Sequence, residues 1–157
     1  MKELNVVGVR VELPNNQPIV LLKEVAGDRY LPIWIGPVEA TAIAFEQQGV
    51  RPTRPLTHDL LKNVIDATGN DLTEIRITEV RDGVYYATLA FASGVEVSAR
   101  PSDSIALALR TGARIVCSDD LLEATGIEVA HEQEDEVEKF REFLDHVSPD
   151  DFEETET

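Results

Sequence analysis

The feature that most constrains this chain is the order strand, strand, strand, helix, helix, which occurs twice. Alternating apolar residues and turn signals predict the first set within residues 4–69 and the second within residues 73–126. Strands and helices in this order predict an α+β fold, in which two sheets of mixed or antiparallel strands share a core and short helices pack outside. We interpret the chain as a duplicated βββαα unit.

The similarity between the two sets reaches single residues at the first helix of each. Pro37 matches Pro101, Glu39 matches Asp103, and two alanines follow each acid at equal offsets. Proline fits the first helical position because its missing N–H would be unpaired there in any case. We therefore expect Glu39 and Asp103 to occupy equivalent places near the pseudo-symmetry axis, where duplicated proteins often carry a site.

The linker between the two sets, Arg51 to Leu61, is polar, contains two prolines and leads into a helix for which Thr57 is the predicted N-cap. It places two arginines, Arg51 and Arg54, and one histidine, His58, in an otherwise acidic chain. Helix N-termini attract anions, so this stretch is predicted to border the active site.

The length of 157 residues indicates one domain, residues 1–130, followed by a segment of different composition, residues 131–157. In that segment, Glu132 to His146 has the apolar spacing of an amphipathic helix. The net charge of −16 argues against a general nucleic-acid binder, which normally has a basic face. However, residues 131–157 hold 12 of the 30 acidic residues, so an anionic substrate for the domain stays open.

Several absences in the sequence predict a cytoplasmic protein without membrane contact. No apolar run approaches the ~20 residues that a membrane span needs. The first residues lack the apolar region of a signal peptide. The single cysteine, Cys117, cannot form an internal disulfide.

Four segments together resemble the bifunctional nuclease domain family. They are Leu31–Gly36, Arg54–Leu61, Asp82–Ala87 and Ser98–Leu109, and the resemblance extends over about residues 4–127. It implies an α+β fold, a homo-oligomer (most simply a dimer) and hydrolysis of the phosphodiester bonds of DNA and RNA with low sequence specificity.

Metal-assisted hydrolysis of a phosphodiester needs carboxylates for Mg²⁺ or Mn²⁺, a base for water and cations for the developing negative charge. The predicted catalytic residues are His58, Asp59, Arg100 and Asp103. Arg51 and Arg54 are predicted to bind the nucleic acid, and Glu39 and Asp103 are candidates to hold the divalent metal. No pattern in the sequence calls for an organic cofactor.

Each of these residues also has a purely structural interpretation. Glu39, Asp59 and Asp103 all fall in the first turn of a helix, where an acid can cap the backbone. Arg100 can pair with Asp103 as a structural bridge, and His58 can be exposed or bonded to a nearby loop. A second function follows from these interpretations, namely a non-catalytic regulatory or scaffold protein that binds a small anion or a protein partner.

Overall fold

A computed structural model describes residues 1–12 and 15–128, and the predicted amphipathic helix at 132–146 lies outside them. The strands are β1 (Lys2–Glu12), β2 (Gln17–Glu24), β3 (Arg29–Trp34), β4 (Leu72–Arg81), β5 (Val84–Phe91), β6 (Glu96–Ala99), β7 (Arg114–Cys117) and β8 (Ile127–Glu128). The helices are α1 (Pro37–Gln48), α2 (Thr57–Thr68), α3 (Pro101–Thr111) and α4 (Asp119–Thr125). The predicted mixed α+β class is confirmed.

All eight strands belong to one sheet, in the order β6-β5-β4-β7-β1-β2-β3-β8. β7 runs parallel to β4, and every other neighbouring pair is antiparallel. The expectation of two separate sheets is therefore corrected. The short strand β7 pairs with β4 on one side and β1 on the other, and this pairing joins the two halves into one sheet. The duplication itself stays a prediction.

The core lies where the sheet meets the helices, in one cluster of buried side chains. Its largest fully buried members are Leu22, Leu31, Ile43, Ile75, Ile77, Ile105, Leu107 and Leu122. Seven of the eleven residues of α3 and four of the twelve residues of α1 are buried, and the alanines among them allow close packing between the two helices. α2 is different, because only His58 and Ile65 of its twelve residues are buried. Of the three long helices, α2 is therefore the most accessible.

The helix boundaries follow local backbone chemistry. α1 and α3 begin with Pro37 and Pro101 at the first position, as predicted. α1 and α2 end at Gly49 and Gly69, which adopt positive φ angles of 71° and 68° that other residues rarely tolerate. Among the described residues, no helix has the length and apolar character needed to span a membrane.

Candidate active site

The first turns of α1, α2 and α3 meet at one place, and each contributes a polar side chain to it. Glu39 is the third residue of α1, and His58 is the second of α2. Arg100 is the N-cap of α3, and Asp103 is its third residue. Residues from three helices are joined here because α3 packs against both α1 and α2. The two acids that the sequence aligned, Glu39 and Asp103, thus lie at the same site.

These four side chains form a continuous chain of contacts. His58 Nε2 lies 2.9 Å from Asp103 Oδ1. Arg100 donates from Nε to Asp103 Oδ2 at 2.9 Å and from Nη2 to Glu39 Oε1 at 2.5 Å. These hydrogen bonds to Asp103 and Glu39 raise the pKa of Arg100, so the guanidinium stays charged. A cation therefore sits between two carboxylates, and one of those carboxylates also holds the imidazole.

The environment of His58 differs from its purely structural interpretation. That interpretation had His58 exposed or bonded to a nearby loop, but the residue is only 8% exposed and contacts Asp103, 45 residues further along the chain. An ionised carboxylate can only accept a hydrogen bond, so His58 Nε2 carries the proton when the ring is neutral. The lone pair then lies on Nδ1, which makes no hydrogen bond with any described residue.

A pocket of about 490 Å³ opens at this cluster, and its lining combines the polar chain with an apolar wall. The polar members are Glu39, His58, Arg100 and Asp103. The wall consists of aliphatic side chains from the three helices α1, α2 and α3 and from strand β5: Val38, Leu61, Leu107 and Leu89. A volume of this size lies within the usual range for small-ligand sites, roughly 300–1,000 Å³.

Asp59 points away from this pocket. Its Oδ2 accepts the N–H of Leu56 at 3.0 Å, and its Oδ1 accepts Arg110 Nε at 2.7 Å. Burial raises the pKa of Asp59, but the hydrogen bonds from Arg110 and Leu56 outweigh burial and lower that pKa. The N-cap of α2 is Leu56 rather than the predicted Thr57, because Asp59 reaches back to bond the Leu56 N–H. The capping interpretation therefore fits Asp59.

The two linker arginines do not join the cluster. Arg51 pairs with Glu46 at 2.9 Å and lines a separate pocket of about 390 Å³ on the Asp59 side of α2. Arg54 is exposed and makes no hydrogen bond or ion pair with the described residues. The linker thus borders the site through His58, while its arginines are placed elsewhere on the surface.

The other two acids also lie in the first turn of a helix, but their hydrogen bonds differ from those of Asp59. Among the described residues, neither Glu39 nor Asp103 bonds the backbone N–H of its N-cap residue as Asp59 does. Glu39 is directed to Arg100 instead, and its side chain is 13% exposed. Asp103, with a side chain 33% exposed, divides its oxygens between Arg100 and His58. The Arg100–Asp103 bridge that the sequence suggested is present, but it belongs to a larger network that includes the histidine.

The donor set as arranged does not fit a divalent metal. Within residues 1–12 and 15–128, no group of three or more His, Cys, Asp and Glu side chains is placed to hold an ion. The two predicted ligands, Glu39 and Asp103, are both bonded to Arg100, which would have to move away first. Hard divalent cations such as Mg²⁺ also need several oxygen ligands. The metal stays a prediction from the sequence.

Sequence reasoning missed two features of this region. Arg110 has a side chain only 3% exposed and bonds Asp59 of α2, the Ala106 carbonyl of α3 and the Ala42 carbonyl of α1. It thereby ties three helices together next to the site. The aliphatic wall of the pocket was also missed. Neither feature had a local signal, because the partners of Arg110 on α1 and α2 lie 68 and 51 residues away.

Comparison with known proteins supports the resemblance seen in the sequence. A family model described as the bifunctional nuclease domain matches residues 20–130. Two proteins of Mycobacterium tuberculosis, from strains CDC 1551 and H37Rv, are each 55% identical to this chain over 164 aligned residues. The alignments cover 99% of this chain and 100% of each relative, and both relatives bear the name uncharacterized protein.

Proposed function

The chain belongs to the bifunctional nuclease domain family, and from this premise we propose that it hydrolyses phosphodiester bonds of DNA and RNA at the pocket beside His58. The observation that supports this proposal most is the 2.9 Å contact between His58 and Asp103 inside a pocket that also holds Arg100. A base held by a carboxylate, with a cation at hand, is the combination that phosphodiester hydrolysis needs.

In this proposal His58 is the general base. Asp103 holds the Nε2–H and fixes the tautomer, so Nδ1 can accept a proton from water or, in RNA, from a 2′-hydroxyl. The oxygen that loses the proton attacks phosphorus, the bond between phosphorus and the leaving ester oxygen breaks, and that oxygen takes up a proton from water. The imidazolium that forms is stabilised by the negative charge of Asp103. A positioned general base typically accelerates a reaction about 10²–10⁴-fold.

Arg100 is the cation for the phosphate. Its side chain is 65% exposed, whereas its partner Glu39 is 13% exposed. An incoming phosphate can therefore meet the guanidinium from the open side, while Glu39 and Asp103 hold it in place. A guanidinium matches the geometry of phosphate oxygens and stabilises charge as it develops on them. In this mechanism, neither the proton transfer to His58 nor the charge stabilisation by Arg100 uses a metal ion.

The test is cleavage of single-stranded DNA, duplex DNA and RNA by homogeneous protein, in Mg²⁺, in Mn²⁺ and in EDTA. His58→Ala is compared with wild type, and Asn63→Ala on the exposed part of the same helix is the matched control. We expect His58→Ala to lose at least 100-fold in rate and Asn63→Ala to retain the wild-type rate.

The possible results separate the alternatives. Equal cleavage by wild type and His58→Ala would refute the assignment of the base. Cleavage in the presence of EDTA would show that no divalent metal is needed. Loss of cleavage in EDTA would mean that a divalent ion binds Glu39 and Asp103 and displaces Arg100 from them. Saturable binding without cleavage would support the non-catalytic regulatory function instead.

The outer face of α2 supports the proposal that the protein is a homo-oligomer. At 100° per residue, this face carries Leu60, Val64 and Thr68, together with Thr57 and Leu61, which lie where the face meets the pocket beside His58. The three large aliphatic residues among them are 39–54% exposed. The three charged residues of α2 (Asp59, Lys62 and Asp66) all lie on its other sides.

In a chain with net charge −16, an uncharged aliphatic face is where two copies can approach with least repulsion. We expect sedimentation analysis to show an oligomer that Val64→Asp dissociates. The fold should survive because Val64 is 49% exposed. A monomeric wild type would refute this proposal.

A further inference from the structure

We propose that the pocket beside His58 receives one unstacked nucleotide, with its base against the aliphatic wall and its phosphate at Arg100, so that single-stranded nucleic acid is the preferred substrate. The inference rests on the proposed nuclease function and specifies which form of nucleic acid can reach the site.

The depth and the volume of the pocket favour a single nucleotide over a duplex. His58, the proposed base, has a side chain only 10% exposed, so a phosphodiester must enter the pocket to meet it. The pocket of about 490 Å³ has room for a nucleotide but not for a segment of duplex. A paired and stacked nucleotide must first leave the helix at a cost of a few kcal/mol, and this cost is smallest in a single strand.

The aliphatic wall of the pocket is suited to contact with a nucleobase. Leu61, which is 39% exposed, presents aliphatic surface in the same pocket as His58 and Arg100, while Leu89 and Leu107, 8% and 0% exposed, complete the apolar lining. The faces of a nucleobase are apolar, and flipped bases commonly lie between aromatic or aliphatic side chains. Leucine side chains have no donors or acceptors that could read the edge of a base. Such a wall accepts any of the bases, which agrees with the low sequence specificity proposed for the activity.

The charges around the pocket limit the affinity that phosphate contacts can provide. Proteins that hold duplexes by the backbone use several Lys and Arg contacts to phosphates. Among the residues lining this pocket, Arg100 is the one cation, and it is already paired with Glu39 and Asp103. The whole chain carries a net charge of −16. Phosphate contacts therefore cannot provide most of the affinity, and contacts to the base have to provide it.

Two neighbouring residues of α2 give a matched test. Leu61 lines the pocket, whereas Leu60 does not, and the two are 39% and 54% exposed. Leu61→Asp and Leu60→Asp add the same charge to the same uncharged face, so any effect on self-association is shared. Only Leu61→Asp places a carboxylate against the base.

Binding is measured by fluorescence anisotropy with a labelled single-stranded oligonucleotide, and cleavage is measured in parallel. The comparison strands are the same backbone with abasic tetrahydrofuran units, and the matching duplex. Wild type and Leu60→Asp should bind the intact strand at least tenfold more tightly than either comparison strand. Leu61→Asp should lose this preference. Contact with one phosphate predicts a slope of about −0.7 for log K against log salt.

The outcomes distinguish this inference from the proposed function. Equal binding of intact and abasic strands, with cleavage of both, would leave the nuclease function standing and overturn the nucleotide pocket. Base-dependent binding without cleavage would support the pocket and remove the nuclease function. Absence of both binding and cleavage would overturn both, and equal loss in the two leucine variants would also overturn the pocket.

Discussion

Replacing Arg110 with methionine should reveal how strongly the three helices around the site depend on one buried guanidinium. The side chain is 3% exposed and makes three hydrogen bonds, to Asp59 and to the carbonyls of Ala42 and Ala106. Methionine retains much of the aliphatic volume but makes none of these bonds. Asp59 is then left with the Leu56 N–H as its remaining partner.

The expected loss follows from the burial of the pair. Breaking a buried ion pair typically costs about 3–5 kcal/mol, because one charge is left without its partner. The Asp59 side chain is 22% exposed, so water compensates part of the loss and the lower end, about 3 kcal/mol, applies. For a domain of this size, that loss lowers the melting temperature by roughly 6–12 °C.

The pH dependence of the stability difference between wild type and Arg110→Met shows whether the Asp59 carboxylate is responsible for it. The pKa of Asp59 is lowered in the folded protein, so its contribution to stability is complete above the ordinary aspartate pKa of about 4. That contribution is lost as the pH falls through the lowered folded pKa. The difference in the free energy of unfolding between wild type and Arg110→Met should therefore be about 3 kcal/mol at pH 7 and shrink below pH 4.

Urea unfolding of wild type, Arg110→Met, Asp59→Asn and the double variant measures these quantities. In the double variant the two single losses should not add, and we expect a coupling of at least about 1 kcal/mol. The reasoning would be refuted by additive single losses, or by a difference between wild type and Arg110→Met that stays constant from pH 7 to pH 3.

Three further predictions concern single side chains. Asp103→Asn should reduce the cleavage rate at least 100-fold, the loss also expected for His58→Ala, because the amide no longer fixes the imidazole; a normal rate would contradict the proposed role of the pair. Glu24→Gln should lower the melting temperature in thermal unfolding, since Arg29 bonds both carboxylate oxygens and lowers the pKa of Glu24; an unchanged melting temperature would contradict it. Burial raises the pKa of the Cys117 thiol to about 11, so it should react with a thiol reagent at pH 8 only after unfolding, and fast labelling of the native protein would show that it is accessible.

The elements of the fold could be predicted closely because their signals are local. Helix α1 begins at Pro37 and α3 at Pro101, as predicted, and the turn Arg81–Gly83 separates two strands that pair as a hairpin. The two residues of β8 were not predicted. A strand that short has no alternation to detect, and it exists because β3 offers it a partner at Arg29 and Tyr30.

The candidate site could be predicted only in part. The repeat aligned Glu39 with Asp103, and the first turns of their helices do meet. The composition of the linker indicated His58 as a candidate, and His58 lies in the same pocket. Asp59 stands next to His58 in sequence, but adjacent helix residues point about 100° apart, and Asp59 faces Arg110 instead. Proximity in sequence therefore predicted which residues lie near the site, but it did not predict the direction of each side chain.

By itself, the sequence predicted seven of the eight strands and all four helices of the described residues, because periodicity and turn signals act over a few positions. Its motifs indicated the family, and its polar residues near helix starts were the candidates for chemistry. The tertiary structure alone decided that β7 joins the halves into one sheet, that Asp103 holds His58 and that Arg100 stands between two carboxylates. These contacts depend on how helices pack across the sheet, and packing is a property of the whole chain rather than of any window in it.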